Sequence, residues 1–381
     1  MRTGWVRVVG RLVRCGGESS AVRPLEREGT HGVRGRVVVA GAPRRLSSLA
    51  DVARRAGVSI TTASRVMSAS QHPVAEHTRR RVLQAADELD FEPNLVARGL
   101  VAQRTSMVAL LVGDMTESAA SLTTRGAEDV AFEHGFSLLV GNTDGDTQKE
   151  VAYVRKLRAL RADAVLLATC ARASDPQTEQ LARQLRQVES AGGVVVRLGS
   201  DATGRADVGW SMRDAFGLVA GHLRALGHRD VALVAGAGRE GVTAAAVDAA
   251  RGAARGEGLE LPDDRVAVTD GQAGADERVL RACRDATAVI TTCDEPAAAV
   301  VAALRRAGRR VPADVSVTGM GDLPIAVLLE PTLTTVRVPL REQGRRAMSV
   351  ACDLLDGAVR PEPAEVAVEL VVRDSSAPVV A

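Results

Sequence analysis

The sequence predicts a small helical head joined by a short linking element to a two-lobed core of doubly wound parallel sheets, an α plus α/β architecture. Three features predict it. The chain has 381 residues, more than one compact domain usually holds. Between Leu46 and Leu100, apolar residues recur at helical spacing on either side of Gly57. From Met107 onward, short apolar runs alternate with helical stretches, the pattern of buried parallel strands in βαβ units.

Residues 1–43 mix Gly, Arg and Val without sustained periodicity. They read as a disordered tail, or as the product of a start codon placed too early. In the next segment Ser48 can cap a first helix, with Asp51 completing a capping box. Leu49, Val52, Ala53 and Ala56 then fall at helical spacing, and Gly57 breaks the helix because glycine takes positive φ cheaply. Ser59 can cap a second helix, Ile60 to Met67. Its Ala63, Val66 and Met67 are expected inside; Ile60, Thr61, Thr62, Ser64 and Arg65 are left outside. Two short helices joined by a glycine turn form a helix-turn-helix, whose second helix enters the DNA major groove. A third helix, roughly Glu76 to Asp90, packs with Val82, Leu83, Ala86 and Leu89, and starts at Ala75, a poor cap. Pro93 ends one element and Asn94 opens a short one, NLVARGL.

Ten apolar runs follow: VALLV, SLLVG, AVLLAT, VVVRL, VALVAG, VAVTD, AVITT, VSVTG, LTTVRVP and VELVVRD. That number suits two lobes rather than one sheet. Charge divides along the same line. Residues 1–43 carry 8 Arg against 3 Glu, residues 44–104 carry 10 Arg against 6 acids, and the remainder holds 31 basic against 38 acidic groups. A basic front on an acidic body points to a polyanion bound at one end only. On that view residues 1–43 gain a sharper alternative, a basic arm lying on DNA phosphates. The five cysteines, Cys15, Cys170, Cys283, Cys293 and Cys352, are odd in number and hold no C-x-x-C pair, so neither a disulfide framework nor a zinc site is expected. No apolar run reaches the ~18 residues of a membrane helix.

DVARRAGVS, the ASRVM run, ADELDFEPN and ARGL resemble the DNA-binding head of the lactose-repressor (LacI/GalR) family, in the same order and spacing. GNTDGD, LRALGHRDVALVAG, RRAGRRVPADVSVTGMGD and EPTLTTVRVPLREQGRRA resemble that family's ligand-binding core, which is itself similar to periplasmic sugar-binding proteins. The resemblance spans residues 46–377. It implies a helix-turn-helix domain at 46–93, a hinge helix and linker at 94–104, and an effector-binding and dimerisation core at 105–381. The chain would cross between lobes three times, giving lobe one 105–202 with 333–358 and lobe two 203–332 with 359–381.

The resemblance also implies site residues. The first two outward residues of the recognition helix, Ile60 and Thr61, would choose the operator, and their methyl groups suit a thymine methyl. Arg65 would read guanine O6 and N7 with its guanidinium fork. Ser59, Thr62, Ser64 and Asn94 are short donors suited to phosphates. The hinge would contact DNA through Ala97 and Leu100, with Leu100 a minor-groove wedge; Gly99 beside it costs about 1 kcal/mol in a helix. Effectors in such folds bind outside the carboxyl ends of the strands. Asp114, Asp144, Thr169, Ser200, Asp270, Asp294 and Asp322 stand there, and Asp114, Trp210, Cys293, Asp294, Met320 and Asp322 are the expected effector contacts. Three polar positions that the family uses on sugars are replaced, by Ala246, Cys293 and Gly321. The aromatic pair that usually follows Asp114 is gone as well.

The expected function is a cytoplasmic transcription regulator, a repressor, whose affinity for a pseudo-palindromic double-stranded DNA operator is modulated by a small molecule held between the lobes. It would act as a homodimer or tetramer, without cofactor, metal or membrane, and the effector need not be a simple hexose. The alternative is a small-molecule, sugar-like receptor without regulatory role, which the head argues against. An enzyme is disfavoured: no G-x-G-x-x-G follows the first strand, no P-loop lysine or G-x-S-x-G occurs, and the histidines are scattered.

Overall fold

The computed structural model describes residues 4–8, 11–15, 47–67, 74–92, 104–168, 176–200, 206–236, 240–269 and 275–379. Residues up to Glu92 form one compact unit and those from Pro93 another.

In the first unit, β1 (Gly4–Val8) and β2 (Arg11–Cys15) pair antiparallel, so part of the extension expected to be a structureless tail is a two-stranded ribbon. The head proper is α1 (Leu49–Ala56), α2 (Ile60–Met67) and α3 (Glu76–Glu88). Ser48 and Asp51 make the expected capping box, and Gly57 ends α1 at φ 63°. The Ser59 hydroxyl accepts from Thr62 N at 3.0 Å, which caps α2. Ala75 makes no side-chain cap bond. Val52, Ala53, Ala56, Ala63, Val66, Val82, Ala85 and Ala86 form the core, with Leu49, Met67, Leu89 and Phe91 packed on it. Leu83 was expected inside and is 46% exposed. The inward stripe of α3 runs Val82, Ala85, Ala86, Leu89, and position 83 lies about 100° around the helix from 82.

The second unit holds two six-stranded sheets. The first contains β3 (Met107–Val112), β4 (Ser137–Asn142), β5 (Ala164–Ala168), β6 (Val194–Ser200), β7 (Val208–Trp210) and β13 (Ala364–Glu365). Its order is β13-β7-β6-β5-β3-β4. The second contains β8 (Val231–Gly236), β9 (Val266–Thr269), β10 (Ala288–Thr291), β11 (Ser316–Gly321), β12 (Thr334–Arg337) and β14 (Glu369–Val371), in the order β14-β12-β11-β10-β8-β9. All neighbours run parallel except β14, which is antiparallel to β12. The ten apolar runs are ten of these strands. The two missed, β7 and β13, have three and two residues and no apolar run.

Both sheets are covered on both faces, which is why their strands read as continuous apolar runs. In lobe one, Val108 and Leu110 pack against α4 (Ser118–Glu133) and α11 (Leu340–Leu355). Ala109 and Leu111 face the other way, onto α5 (Thr147–Ala159) and α6 (Pro176–Ser190). In lobe two, Val231, Leu233 and Ile290 meet α7 (Met212–Ala225) and α8 (Glu240–Gly256). Ala232, Val234 and Val289 meet α9 (Ala275–Ala282) and α10 (Asp294–Arg306).

Three crossings join the lobes, but the expected boundaries move. β7 belongs to the first sheet, since Leu198 pairs with Val208, and β12 belongs to the second, since Thr318 pairs with Thr334. Of the tail assigned wholly to lobe two, β13 pairs with β7 and only β14 reaches β12. The chain therefore crosses after a strand is finished: between Trp210 and α7, between Arg337 and α11, and between β13 and β14. A strand must complete its ladder in the sheet it enters, because unpaired buried backbone groups are costly.

Candidate DNA-binding surface and effector cleft

The recognition helix is held from behind. Ala63 and Val66 are buried, which turns Ser59, Ile60, Thr61, Ser64 and Arg65 to the surface and leaves Thr62 half-buried. Ile60 is 56% exposed, a large apolar side chain in water on a helix with a built core face. Thr62 Oγ1 bonds Ser59 Oγ at 2.8 Å, so these two hydroxyls cap one another while remaining at the rim. The helix has no acid in its first turn and a base, Arg65, in its last. This rim can take a groove: methyls for thymine, a guanidinium for guanine, hydroxyls for phosphate. Asn94, Ala97, Gly99 and Leu100, the expected hinge contacts, lie outside the described residues.

The carboxyl ends of the strands were expected to line a pocket with six named residues, and several of these are engaged elsewhere. Asp294 is fully buried: its carboxylate accepts from Leu323 N and Thr335 Oγ1, each at 2.6 Å. Burial raises its carboxyl above the usual range, against the pull of those two donors. It braces α10 to the ends of β11 and β12. Met320 is 4% exposed and sits in the lobe-two core. Trp210 leans on the same core, as does the buried Ala246. Asp322 receives Arg337 Nε at 2.7 Å and Arg373 Nη2 at 2.5 Å. Burial alone would raise its carboxyl, but these two arginines outweigh that and hold it below the usual range. Gly321 carries φ 127°, and a Cβ there would press on Leu323 at 2.9 Å. The missing acid of the family's run is thus replaced by a residue that the backbone itself requires to be small.

Carboxylates of the two lobes lie near one another beyond the strand ends. Asp114 makes a local turn, accepting from Thr116 N at 2.8 Å and Thr116 Oγ1 at 2.7 Å. Glu117, at the start of α4 in lobe one, has its carboxyl raised by burial and then by the negative charges of Asp114 and of Glu295, which lies on α10 in lobe two. Two lobes thus bring carboxylates within one another's field. Cys293 Sγ donates to Glu295 Oε2 at 2.7 Å, and burial with that carboxylate pushes the thiol well up. Glu117 and Glu295 were missed in the sequence because they follow, rather than end, the strand runs. Asp144, at φ 51°, pairs with Lys149. Thr169 and Asp270 are outside the described residues, as are 169–175, 201–205, 237–239 and 270–274, which follow four of the strands.

Residues 48–94 match the family described as bacterial regulatory proteins, lacI family, and residues 220–376 match the periplasmic binding protein-like domain. The transcriptional repressor PurR of Vibrio atlanticus is 30% identical over 312 residues, covering 80% of this chain and 91% of its own. The chain belongs to the lacI family. It is a DNA-binding transcriptional regulator with a helix-turn-helix head and a two-lobed core. Among solved structures, the lac repressor dimer bound to operator and the anti-inducer ONPF shares the fold at TM-score 0.75 and 24% identity, over 87% of this chain and all of that one. A complex of the regulator CelR with cellobiose matches at TM-score 0.62 and 27% identity, over 86% and 99%. Among the described residues of this lacI-family regulator, no helix is long and apolar enough to cross a membrane.

Proposed function

We propose that this regulator is a homodimeric repressor of the cytoplasm, without catalytic activity, whose two heads grip a pseudo-palindromic operator. The observation that carries the reading is the rim of α2, with Ile60, Thr61 and Arg65 outward on a helix whose other face is core. A relative named as a repressor, and a lac repressor dimer solved on its operator, support it. Residues 46–93 serve as the DNA-binding domain, 94–104 as the hinge and the remainder as the effector core. Ser59, Thr62, Ser64 and Asn94 hold phosphates, and Ala97 and Leu100 enter the minor groove. A small molecule that fits one degree of lobe closure better than another shifts the population and with it DNA affinity. Selection from a random duplex pool tests this: a two-fold symmetric sequence should be enriched, and an unenriched pool refutes the reading.

The effector is not a simple hexose held by a polar clamp. Each buried sugar hydroxyl needs a partner. Here Ala246 is core, Gly321 has no side chain, Asp294 and Asp322 are already bonded, and Cys293 is tied to Glu295. Asp114, Glu117 and Glu295 keep acceptor oxygens for a ligand, an acid-lined set that disfavours phosphorylated metabolites. Calorimetry of the full-length protein against mono- and disaccharides decides it. A hexose bound at micromolar concentration would defeat the proposal.

A further inference from the structure

We propose that Arg81, on α3, is the residue that aims the recognition helix: its guanidinium fixes the turn between α1 and α2 without touching DNA. The turn begins with the end of α1. There Gly57 N donates to Arg54 O at 3.2 Å and Val58 N to Ala53 O at 3.0 Å, a closure that uses two of the last carbonyls. The carbonyls of Ala56 and Gly57 point away from that closure. Both are met by one nitrogen, Arg81 Nη2, which donates to Ala56 O and, at 3.4 Å, to Gly57 O.

The partners are distant in sequence, 25 and 24 residues apart, so this bond fixes tertiary geometry rather than local shape. A cation at this end of α1 also suits the negative end of its dipole. The fit is close: a Cβ on Gly57 would stand 2.9 Å from the same Nη2. One residue past Val58, Ser59 opens α2. The orientation of an eight-residue helix with only Ala63 and Val66 buried depends strongly on the turn that launches it.

Base-edge hydrogen bonds carry the sequence information and depend on how the recognition helix is presented, whereas phosphate contacts hold the head on any sequence. Loss of Arg81 should therefore relax base discrimination while leaving non-specific affinity in place. The experiment uses the full chain, its selected operator and a scrambled duplex, titrated over a salt series. Arg81→Met keeps the stem and removes the donors; Arg81→Lys restores a cation and a donor. The Met variant is expected to lose tenfold or more of the operator-to-scrambled ratio, with the salt slope unchanged, and the Lys variant to recover most of it.

Equal loss on both duplexes with a slope reduced by about 0.9 for each contact would make Arg81 a phosphate ligand and overturn the proposal. An unchanged ratio overturns it. So does a Met variant whose head is unfolded at the assay temperature by circular dichroism, since Arg81 then builds the head rather than aims it. Failure of the parent to discriminate between the duplexes would instead count against the proposed operator binding.

Discussion

Gly126 of α4 and Gly344 of α11 lie at a crossing so close that a methyl group on either would strike the other helix's backbone, at the carbonyl of Arg341 or of Thr123. Beside them Asp129 receives Arg341 Nε at 2.9 Å and Nη2 at 2.7 Å. α11 follows a strand of lobe two, yet these contacts bind it to lobe one. Gly344→Ala should therefore destabilise the core by about 3 kcal/mol, the upper part of the overpacking range, because backbone and not a pliable side chain must yield. Gly217→Ala in α7 is the contrast: nothing lies within 4 Å of that position, and alanine should stabilise by up to about 1 kcal/mol. Thermal melts of the two variants should move in opposite directions.

Asp294→Ala should destabilise the protein by at least about 2 kcal/mol with no effector present. It leaves Leu323 N and the Thr335 hydroxyl unpaired in a fully buried place. Asp294→Asn keeps one acceptor oxygen and should lose less. A melt of Asp294→Ala that matches the parent would contradict the brace.

These two sites mark what was legible in the sequence. Strands such as Leu110-Leu111-Val112 announce themselves because both faces are buried, and the capping box at Ser48 is a local bond between near neighbours. β7 was invisible: Val208-Gly209-Trp210 becomes a strand only because β6 offers it a ladder. Asp294 and Met320 were legible as members of a family pattern, but their burial is a property of the packed lobe. Arg81 carries no local signal, since its partners are set by how α3 folds back on α1.

Arg65→Ala should cost about 1–3 kcal/mol on the operator and little on a scrambled duplex, as for loss of a guanidinium fork on guanine. The sedimentation coefficient of the variant should match that of the parent. Equal loss on both duplexes in a band-shift titration would identify a phosphate contact.

His228 is 2% exposed and ties the chain end to the second sheet. Nδ1 meets Thr287 Oγ1 at 2.9 Å, and Nε2 lies 3.1 Å from both Ser316 Oγ and Ala377 O. Burial lowers its pKa, partly opposed by the Ala377 carbonyl and assisted by neighbouring His222, which burial also lowers. Of the nearby charged groups, Asp230 is paired with Arg265 at 2.8 Å. A histidine depressed on folding takes up its proton more readily in the unfolded chain. Stability is then complete above the ordinary histidine pKa and falls as pH drops through it, from about pH 7 towards 5. Melting temperature should fall over that window, and His228→Gln should flatten the dependence while lowering stability at pH 7. A parent melt that is level between pH 7 and 5 would contradict this.

The three crossings bear on how the chain acquires its shape during synthesis. The helical head is finished by Glu92, so a ribosome releases it early as a unit with its own core. Neither lobe has that option. Lobe one waits for α11 to cover Val108 and Leu110 and for Ala364 to complete its sheet. Lobe two waits for β14 and then for Ser375, whose hydroxyl donates to Val317 O and accepts from Thr334 N. Nascent chains arrested before Leu340 should accordingly resist protease in the head alone, and both lobes should become resistant only once the segment from Ala364 to Ser375 has emerged. Each lobe is a discontinuous object, and no single cut yields either one as an unbroken fragment.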